Sequence, residues 1–292
     1  MRRAGPTLHD RVGLMALRLA KRQKNRYQSA KGREFYEEFF GPRHILQYEH
    51  DLRLVFRREE ILRVLRTLPR KLRVLDLGCG IGHTIRLFPA SYTKVGVDYS
   101  FSSLALARQQ LPQNVSLVSA DGGQLPFADQ TFDLVACLEV LEHLEDDAKA
   151  VAEIARVLRP GGALIASVPN HYYFPEYRQL MGHWRHYTPE SFQGLLSRFG
   201  LVISCYLNEH RRFNFIYFYI YATLEGLNLL LNRVAHSSKS LYERRVPLTN
   251  AKVYRSLLAP MLRPLKRLDE GKSIPRPSTF VVARALGERA GK

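Results

Sequence analysis

The stretch that decides the fold of this chain is Val74-Leu75-Asp76-Leu77-Gly78-Cys79-Gly80-Ile81-Gly82. It joins a short apolar run containing one acid to three glycines at every second position. A continuous apolar run is typical of a parallel strand buried on both faces. Glycines directly after such a strand let the backbone turn tightly and approach a ligand. A helix start should follow, because the free N–H groups at a helix N-terminus form a cradle for polar ligand groups.

The acids around the glycines distinguish between two kinds of nucleotide site. A dinucleotide-binding fold has the spacing G-x-G-x-x-G, whereas this chain has D-x-G-x-G-x-G from Asp76 to Gly82. The next apolar run, Lys94–Asp98, ends in a carboxylate. This acid lies about twenty residues beyond the glycines, where it can accept hydrogen bonds from both ribose hydroxyls. The pattern predicts an adenosine-bearing cofactor at the carboxyl ends of the strands, with a generic nucleotide-type turn as the alternative.

Further motifs follow in order through the middle of the chain. They are Val115–Val118, Ser119–Phe127, Phe132–Cys137, Val157–Gly162 and Leu164–Asn170. With these motifs, the chain from about Leu72 to about Leu207 resembles the class I S-adenosylmethionine-dependent methyltransferases. The resemblance implies an α/β fold with a Rossmann-like, mostly parallel seven-stranded sheet and helices on both faces. It also implies that the N-terminal helices form a lid. About seventy residues separate the last two predicted strands, where a minimal fold would use a short hairpin, so a large helical insertion is predicted before the last strand.

The same resemblance implies how the cofactor S-adenosyl-L-methionine is bound. Asp76 and the glycine loop would lie beside its methionine end, Asp98 beside the ribose and Asp121 beside the adenine amino group. These roles suit carboxylates, which only accept hydrogen bonds when ionised. The predicted cofactor-binding residues are Asp76, Gly78, Cys79, Gly80, Gly82, Asp98, Tyr99, Asp121, Gly122, Leu138 and Glu139.

Four segments are predicted along the chain. Residues 1–70 form a basic helical lid, 71–207 the methyltransferase core, 208–278 a hydrophobic and basic insertion, and 279–292 the last core strand and tail. Apolar periodicity and end signals predict helices at Leu8–Lys24, Tyr48–Leu68, Tyr99–Gln110 and Asp146–Leu158, and one from an N-cap at Thr188 to Phe199–Gly200. The last two strands are predicted at Leu201–Leu207 and Thr279–Arg284.

The formal net charge of +17 is concentrated at the two ends of the chain. Residues 1–30 carry eight basic and one acidic side chains, residues 241–292 carry twelve and four, and residues 71–200 carry eleven and thirteen. This asymmetry predicts an anionic partner (a lipid surface, a phosphorylated substrate or nucleic acid), with a merely solubilising surface as the alternative. Three cysteines without a C-x-x-C pair, and a start without an apolar signal segment, predict a cytoplasmic protein.

The most hydrophobic stretch of the chain, Phe213–Arg233, opens the insertion. A membrane-spanning helix needs roughly 20 predominantly apolar residues. Here polar side chains recur at helical spacing along one stripe, namely Asn214, Tyr221, Glu225, Asn228 and Asn232. Three interpretations stay open: a helix in the membrane interface that contacts a lipid substrate, ordinary packing in the core or a dimer, and a true span.

A group of acids and histidines follows the fourth predicted strand. Glu139, Glu142 and His143 are spaced i, i+3 and i+4, so a helical turn would place them on one face. Together with His183 from later in the chain they predict a site for Mg²⁺ or Mn²⁺, and His186 is the fallback for His183. The E-x-x-E-H pattern resembles the ubiquinone-biosynthesis O-methyltransferases and the small-RNA 3′-end 2′-O-methyltransferases. That resemblance implies a divalent ion that binds the acceptor oxygens.

Other roles for the same group remain open. The predicted catalytic residues are His143 and Glu142, and His143 would act as a metal-free general base if no ion is bound. A purely structural role is the remaining alternative. Four further side chains are expected either to line the acceptor pocket or to pack a lid, namely His171, Tyr172, Tyr173 and Trp184.

These features together predict an O-methyltransferase acting at the cytoplasmic face of the membrane. Its acceptor would be a hydroxyl of an amphiphilic or anionic small molecule, such as a quinone precursor, or of a lipid-linked compound. An RNA 2′-O-methyltransferase is the alternative enzyme, although the chain ends contain no recognised RNA-binding module. A non-catalytic protein that keeps the fold as a scaffold is the alternative from another class.

Overall fold

The computed structural model describes residues 52–170, 183–207 and 278–286, and the side chains of residues 52–56 are not among those described. The predicted core is therefore described except for residues 171–182. The predicted lid helix Leu8–Lys24 and the predicted helix Phe213–Arg233 lie outside the described residues. In the described ranges, no helix has both the length and the apolar character needed to cross a membrane.

Among the described residues, seven strands form one sheet. They are β1 (Arg73–Leu77), β2 (Thr93–Asp98), β3 (Val115–Ser119), β4 (Phe132–Leu138), β5 (Leu158–Pro169), β6 (Leu201–Tyr206) and β7 (Ser278–Ala285). Their order across the sheet is β3-β2-β1-β4-β5-β7-β6. The strands from β3 to β5 pair in parallel, and β7 runs antiparallel to both β5 and β6. The predicted mostly parallel seven-stranded sheet is confirmed, and its strand order reverses between β1 and β4.

Capping side chains set the ends of the helices. The described helices are α1 (Leu52–Leu65), α2 (Phe101–Gln110), α3 (Asp147–Val157) and α4 (Pro189–Arg198). Ser100 and Asp146 cap α2 and α3, because their side chains accept hydrogen bonds from backbone N–H groups of the first turn. At α4, Thr188 and Ser191 form a reciprocal capping box, and Pro189 occupies the first turn. The helices predicted at these positions are confirmed to within a few residues.

Apolar side chains cover both faces of the sheet. On one face, Leu75 and Val135 belong to the same buried cluster as residues of α3 and α4. On the other face, Val74 and Leu134 belong to a cluster with residues of α1 and α2. All four of these strand side chains are fully buried. Because successive strand residues point to opposite faces, a central strand covered on both sides needs the continuous apolar run that the sequence shows.

Two predicted details of the fold are wrong. No α-helix starts directly after Gly82, because the chain makes turns and then a single 3₁₀ turn at Ile85–Leu87. Phe88 ends this turn in an extended conformation (φ −67°, ψ 139°), since a residue before proline is kept out of the helical region. The segment Pro160-Gly161-Gly162, whose composition predicts a turn into the next strand, is instead part of β5, where the pairing with β4 shifts register and Gly161 has a φ of 74°.

Candidate active site

Three acids meet at the carboxyl edge of the sheet. Asp76 lies in β1, Asp98 ends β2, and Asp121 follows β3. Because β3, β2 and β1 are parallel neighbours, their carboxyl ends lie side by side next to the reversal of strand order. Open α/β sheets bind ligands at such a reversal. Other predicted cofactor residues at this edge are Tyr99 and Leu138, both half-buried, and Gly122, which is buried.

The glycine loop is tied to β2 by backbone hydrogen bonds. The N–H groups of Gly78 and Cys79 donate to the carbonyl oxygen of Val97 at 2.8 and 2.9 Å, and Gly80 N–H donates to Asp98 Oδ2 at 2.7 Å. Gly78 and Gly80 have φ values of 72° and 50°, in the left-handed region that favours glycine. A Cβ on Gly80 would meet no atom within 4 Å, so this side of the loop leaves room for a ligand.

Two other members of the predicted cofactor set pack behind the loop. A Cβ on Gly82 would lie 2.7 Å from Cδ1 of Leu111, and the φ of Gly82 is 91°, so a larger residue there would need both a strained backbone and a shift of Leu111. Cys79 is buried, and its Sγ lies 2.9 Å from where a Cβ on Gly96 would stand. Burial raises the pKa of the Cys79 thiol. Cys79 therefore supplies backbone to the loop and not a reactive thiolate.

The glycine loop also contacts the E-x-x-E-H segment. A Cβ built on Gly78 would lie 2.3 Å from Cγ2 of Val140, which stands between Glu139 and Glu142. Carbon atoms in contact are normally about 3.5–4.0 Å apart, so only glycine allows this approach. The structure thus brings the predicted cofactor loop and the predicted acceptor group together.

Asp76 is a buried acid with one unsatisfied oxygen. The residue is 2% exposed, and its Oδ2 has no hydrogen-bond partner among the described residues. Burial raises the pKa of Asp76 to about 8; the backbone N–H of Ile85 acts to lower it, and the charge of Asp98 raises it. Because a buried carboxylate without a partner is costly, ionised Asp76 needs a cation or a hydrogen-bond donor from a ligand.

Asp98 and Asp121 are arranged to accept further hydrogen bonds. Half-buried Asp98 accepts from the backbone N–H groups of Gly80 and Ser100, at 2.7 and 2.9 Å. Exposed Asp121 accepts from the N–H of Gly123 at 2.8 Å. An ionised carboxylate offers about four lone-pair directions, so each of these acids can also bind hydroxyl or amino donors of a ligand.

Glu139 is held by partners from two distant parts of the chain. Its φ of 55° is unusual for a residue with a side chain. Its Oε1 accepts a hydrogen bond from Ser167 Oγ at 2.8 Å and lies 3.2 Å from Nη2 of Arg57 on α1. Arg57 is not among the residues predicted for the site, because apolar periodicity predicts a helix but not which of its arginines faces a site.

Glu142, His143 and His183 form a compact group of potential cation ligands. Each offers one ligand atom, and these atoms all lie within 4.8 Å of one another. The 3₁₀ turn Leu141–His143 carries two of them, and His183 comes from the segment before α4. The structure does not place the fourth predicted ligand, Glu139, in this group. The expected helical turn does not begin at Glu139, whose left-handed backbone precedes the 3₁₀ turn.

Burial favours the uncharged forms of the acid and the imidazole in this group. Glu142 is fully buried, and neither carboxylate oxygen has a hydrogen-bond partner among the described residues. Burial, and then the charge of Glu139, raise the pKa of Glu142 well above its usual range. Burial, and then the charge of His186, lower the pKa of His143 to about 4. A neutral imidazole can accept a proton or bind a metal ion.

The later histidines lie directly against this group. The rings of His143 and His183 are perpendicular, with centroids 4.6 Å apart. His183 Nδ1 lies 2.8 Å from His186 Nε2. His186, the predicted fallback ligand, is therefore a hydrogen-bond partner of His183. Trp184 is 40% exposed. The other predicted pocket residues, His171, Tyr172 and Tyr173, lie outside the described residues.

Known proteins share the segment that builds this edge. A family model described as a methyltransferase domain matches residues 75–166. A Mycobacterium tuberculosis protein named as a probable S-adenosylmethionine-dependent methyltransferase is 35% identical over 133 residues, which are 44% of this chain and 48% of that protein. The 2-methyl-6-phytyl-1,4-hydroquinone methyltransferase of Synechocystis sp. is 34% identical over 153 residues, 47% of this chain and 48% of that protein. The chain thus spans about half the length of these curated relatives.

Solved structures agree on the fold. Phosphoethanolamine N-methyltransferase 2 of Haemonchus contortus, solved in complex with S-adenosyl-L-methionine, superposes with a TM-score of 0.52 at 22% identity. The match covers 78% of this chain and 52% of that one. The motif order, the sheet topology, the family match and the relatives all agree. The chain therefore carries a class I S-adenosylmethionine-dependent methyltransferase domain.

Proposed function

We propose that this chain is an enzyme that transfers a methyl group from S-adenosyl-L-methionine to a hydroxyl of an amphiphilic or anionic acceptor. The observation that carries the proposal is the contact between two differently built sites. The acid-lined glycine loop meets the segment of the Glu142–His143–His183 group where Gly78 lies against Val140. The first site suits a cofactor with amino, hydroxyl and ammonium donors, and the second suits an acceptor oxygen.

The loop residues fit the cofactor group by group. The unsatisfied Oδ2 of Asp76 suits an ammonium group, Asp98 suits two ribose hydroxyls, and Asp121 suits the adenine amino group. When bound, the cofactor supplies a methyl group on a positively charged sulfur. The protein contributes binding and orientation, which align the acceptor oxygen with that methyl group.

The proton of the acceptor hydroxyl needs a destination. The neutral imidazole of His143 is suited to accept it as a general base. Alternatively, Glu142, His143 and His183 would hold Mg²⁺ or Mn²⁺, which would lower the pKa of a bound hydroxyl. A buried carboxylate without a hydrogen-bond partner beside two imidazoles is a donor set that fits a divalent ion.

Calorimetry tests the cofactor half of the proposal. Wild-type protein should bind S-adenosyl-L-methionine, and Asp98→Ala should weaken binding by at least about tenfold, since it removes hydrogen bonds to a charged group. Asp133→Ala is the matched control, because Asp133 is an acid at the opposite edge of the sheet that pairs with Arg159. Absence of binding to the wild type would support the non-catalytic scaffold instead.

Manganese binding tests the ion. Mn²⁺ titration followed by electron paramagnetic resonance needs no acceptor and no turnover. If the three-ligand group holds the ion, Glu142→Gln and His183→Ala should each abolish tight binding, while Glu153→Gln on α3 should not change it. Activity that survives chelation, together with a free-Mn²⁺ signal that the protein does not reduce, would assign His143 the role of a metal-free base.

The acceptor is proposed to be met at the cytoplasmic face of the membrane, where the protein would bind peripherally. The basic chain ends support this proposal, as does the Synechocystis relative, which is named for a phytyl-substituted hydroquinone. Flotation of the full chain with vesicles that contain phosphatidylglycerol tests it, with phosphatidylcholine vesicles as the control. Equal behaviour with both vesicle types would remove the membrane from the proposal.

RNA is the second candidate acceptor, and the approach of His183 to Glu142 and His143 is the observation that favours it. A gel shift with single-stranded RNA at several salt concentrations tests this candidate. Binding that weakens steeply with salt reflects several phosphate contacts. Such binding, combined with methylation of the RNA, would replace the small-molecule acceptor with RNA.

A further inference from the structure

Residues 183–187, here named the histidine strap, carry the two later histidines and Trp184 to the candidate active site. Its backbone is pinned at both ends. The N–H of Trp184 donates to the carbonyl oxygen of Glu142 at 2.7 Å, and the N–H of Tyr187 donates to that of Pro169 at 3.0 Å. The strap therefore crosses directly over the 3₁₀ turn that holds Glu142 and His143.

A single carboxylate joins the strap to the start of α3. Tyr187 Oη donates to Asp147 Oδ2 at 2.7 Å, and the guanidinium of Arg185 pairs with Asp147 Oδ1. Arg185 also donates to the carbonyl oxygen of Glu145. Asp147 begins α3, where the helix dipole favours a negative charge. Two side chains of the strap are thus fixed by the two oxygens of one acid.

The contacts of Asp147 are largely shielded from water. Its side chain is 16% exposed and that of Arg185 is 31% exposed, while Tyr187 is 4% exposed and packs against the ring of Phe192 at 5.5 Å. Burial, and then the hydrogen bond to Asp147, raise the pKa of Tyr187, so its hydroxyl remains a donor. Charged hydrogen bonds in such surroundings are stronger than exposed ones.

We propose that Asp147 is a positioning residue: through Tyr187 and Arg185 it fixes the histidine strap and thereby places His183 against Glu142 and His143. Its effect on methyl transfer rests on the proposed function, whereas its effect on the strap does not. Because the strap lies on a different element from the glycine loop, loss of Asp147 should disturb the acceptor side of the site and leave the cofactor side intact.

The same helix offers a matched control. Glu153, also on α3, pairs with Arg156 at 2.7 Å and accepts the backbone N–H of Leu125 at 2.7 Å. Among the described residues, this second carboxylate holds the loop after β3 and bonds to no residue of the strap. Glu153→Gln therefore removes a comparable charge and ion pair from α3 without acting on the strap.

Trp184 provides a direct readout, since it is the only tryptophan in the sequence and it lies in the strap. Acrylamide quenching and fluorescence anisotropy would be measured for the full-length wild type, Asp147→Asn, Tyr187→Phe and Glu153→Gln. Losing a hydrogen bond to a charged group should raise the population of molecules with an open strap by about tenfold or more. Acrylamide quenching should rise, and fluorescence anisotropy fall, in Asp147→Asn and Tyr187→Phe but not in Glu153→Gln. Tyr187→Phe keeps the ring against Phe192, so it tests the hydrogen bond to Asp147 with little risk to folding.

Two binding measurements separate positioning from general loosening. In Asp147→Asn, the affinity for S-adenosyl-L-methionine should match the wild type, whereas the affinity for Mn²⁺ should fall by at least about tenfold; Asp147→Glu should recover part of it. Wild-type-like quenching in both Asp147→Asn and Tyr187→Phe would overturn the proposal. An equal rise in quenching in Glu153→Gln would also overturn it. If wild-type protein bound neither cofactor nor Mn²⁺, the proposed function would fail, while the quenching comparison would still decide the role of Asp147.

Discussion

Gly78→Ala should destabilise this protein through one identifiable contact. The substitution places a Cβ 2.3 Å from Cγ2 of Val140 and asks an alanine to adopt a φ of 72°. Val140 has little freedom to rotate away, since a β-branched side chain is stiff about its first torsion. The methyl group must therefore push apart the glycine loop and the segment that carries Glu139 and Glu142.

Two costs add up in this variant. A left-handed backbone costs an alanine about 1–2 kcal/mol, and an added methyl in a packed site typically costs about 1–3 kcal/mol more. The expected loss in the free energy of unfolding is thus about 2–5 kcal/mol. Gly80→Ala shares the first cost only, because its φ is 50° and its Cβ would meet no atom within 4 Å.

Urea unfolding of four variants measures the contact. The set is Gly78→Ala, Gly80→Ala, Val140→Ala and the double variant Gly78→Ala/Val140→Ala. Shortening Val140 should recover most of the packing cost, giving a favourable coupling of about 1–3 kcal/mol. A Gly78→Ala variant no less stable than Gly80→Ala, or a coupling near zero, would show that the loop and the E-x-x-E-H segment do not touch.

Four further predictions concern single residues. Burial raises the pKa of Asp76 to about 8, so Asp76 binds more protons in the folded protein than in the unfolded chain between pH about 4 and about 8. Through this residue the free energy of unfolding falls as the pH rises, by at most about 1.4 kcal/mol per pH unit. Asp76→Asn should remove the Asp76 contribution to this pH dependence in urea unfolding, be the more stable protein at pH 8, and bind S-adenosyl-L-methionine more weakly in calorimetry. An unchanged pH dependence would contradict the buried, proton-binding acid. Glu142→Gln should be no less stable than the wild type, since burial disfavours the ionised carboxylate and an amide cannot ionise, but it should lose methyl transfer in a radiolabel assay; retained turnover would remove Glu142 from the site. Arg57→Met should shift the pH dependence of activity upward by raising the pKa of Glu142, because the Arg57 charge acts to lower that pKa; an unshifted profile would argue against this coupling. Thr188→Ala should cost about 1 kcal/mol of stability by removing the α4 cap without changing cofactor affinity, and a large loss of affinity would mean that α4 belongs to the cofactor site.

Local patterns were enough to predict much of the fold and the position of the acids at one edge of the sheet. The apolar run before Gly78 predicts a central strand because a strand covered on both faces has no polar position. Thr188 predicts a helix start because its hydroxyl satisfies a backbone N–H that has no partner within the helix. Asp76 and Asp98 fall at the same sheet edge because parallel strands end together. Each of these inferences depends only on neighbours in the chain or on a general rule of sheets.

Errors arose where a local preference competed with a neighbouring constraint. The helix expected after Gly82 is replaced by one 3₁₀ turn, since Pro89 holds Phe88 in an extended conformation. The helical turn expected from Glu139 to His143 is interrupted because Glu139 adopts a φ of 55°. Its carboxylate and backbone N–H both meet Ser167 on the adjacent strand. This strand pairing was not visible in the spacing of the acids.

The sequence by itself determined the side chains available to this protein: a glycine loop with acids at or just beyond the ends of three strands, and an acid–histidine segment after the fourth. Only the tertiary structure decided which of those side chains act together. Arg57 and Ser167 bind Glu139 and hold it apart from Glu142. Val140 lies against the glycine loop, and Asp147 fixes the strap that carries His183. Such choices join residues separated by tens of positions, and they depend on distances and burial that no local pattern encodes.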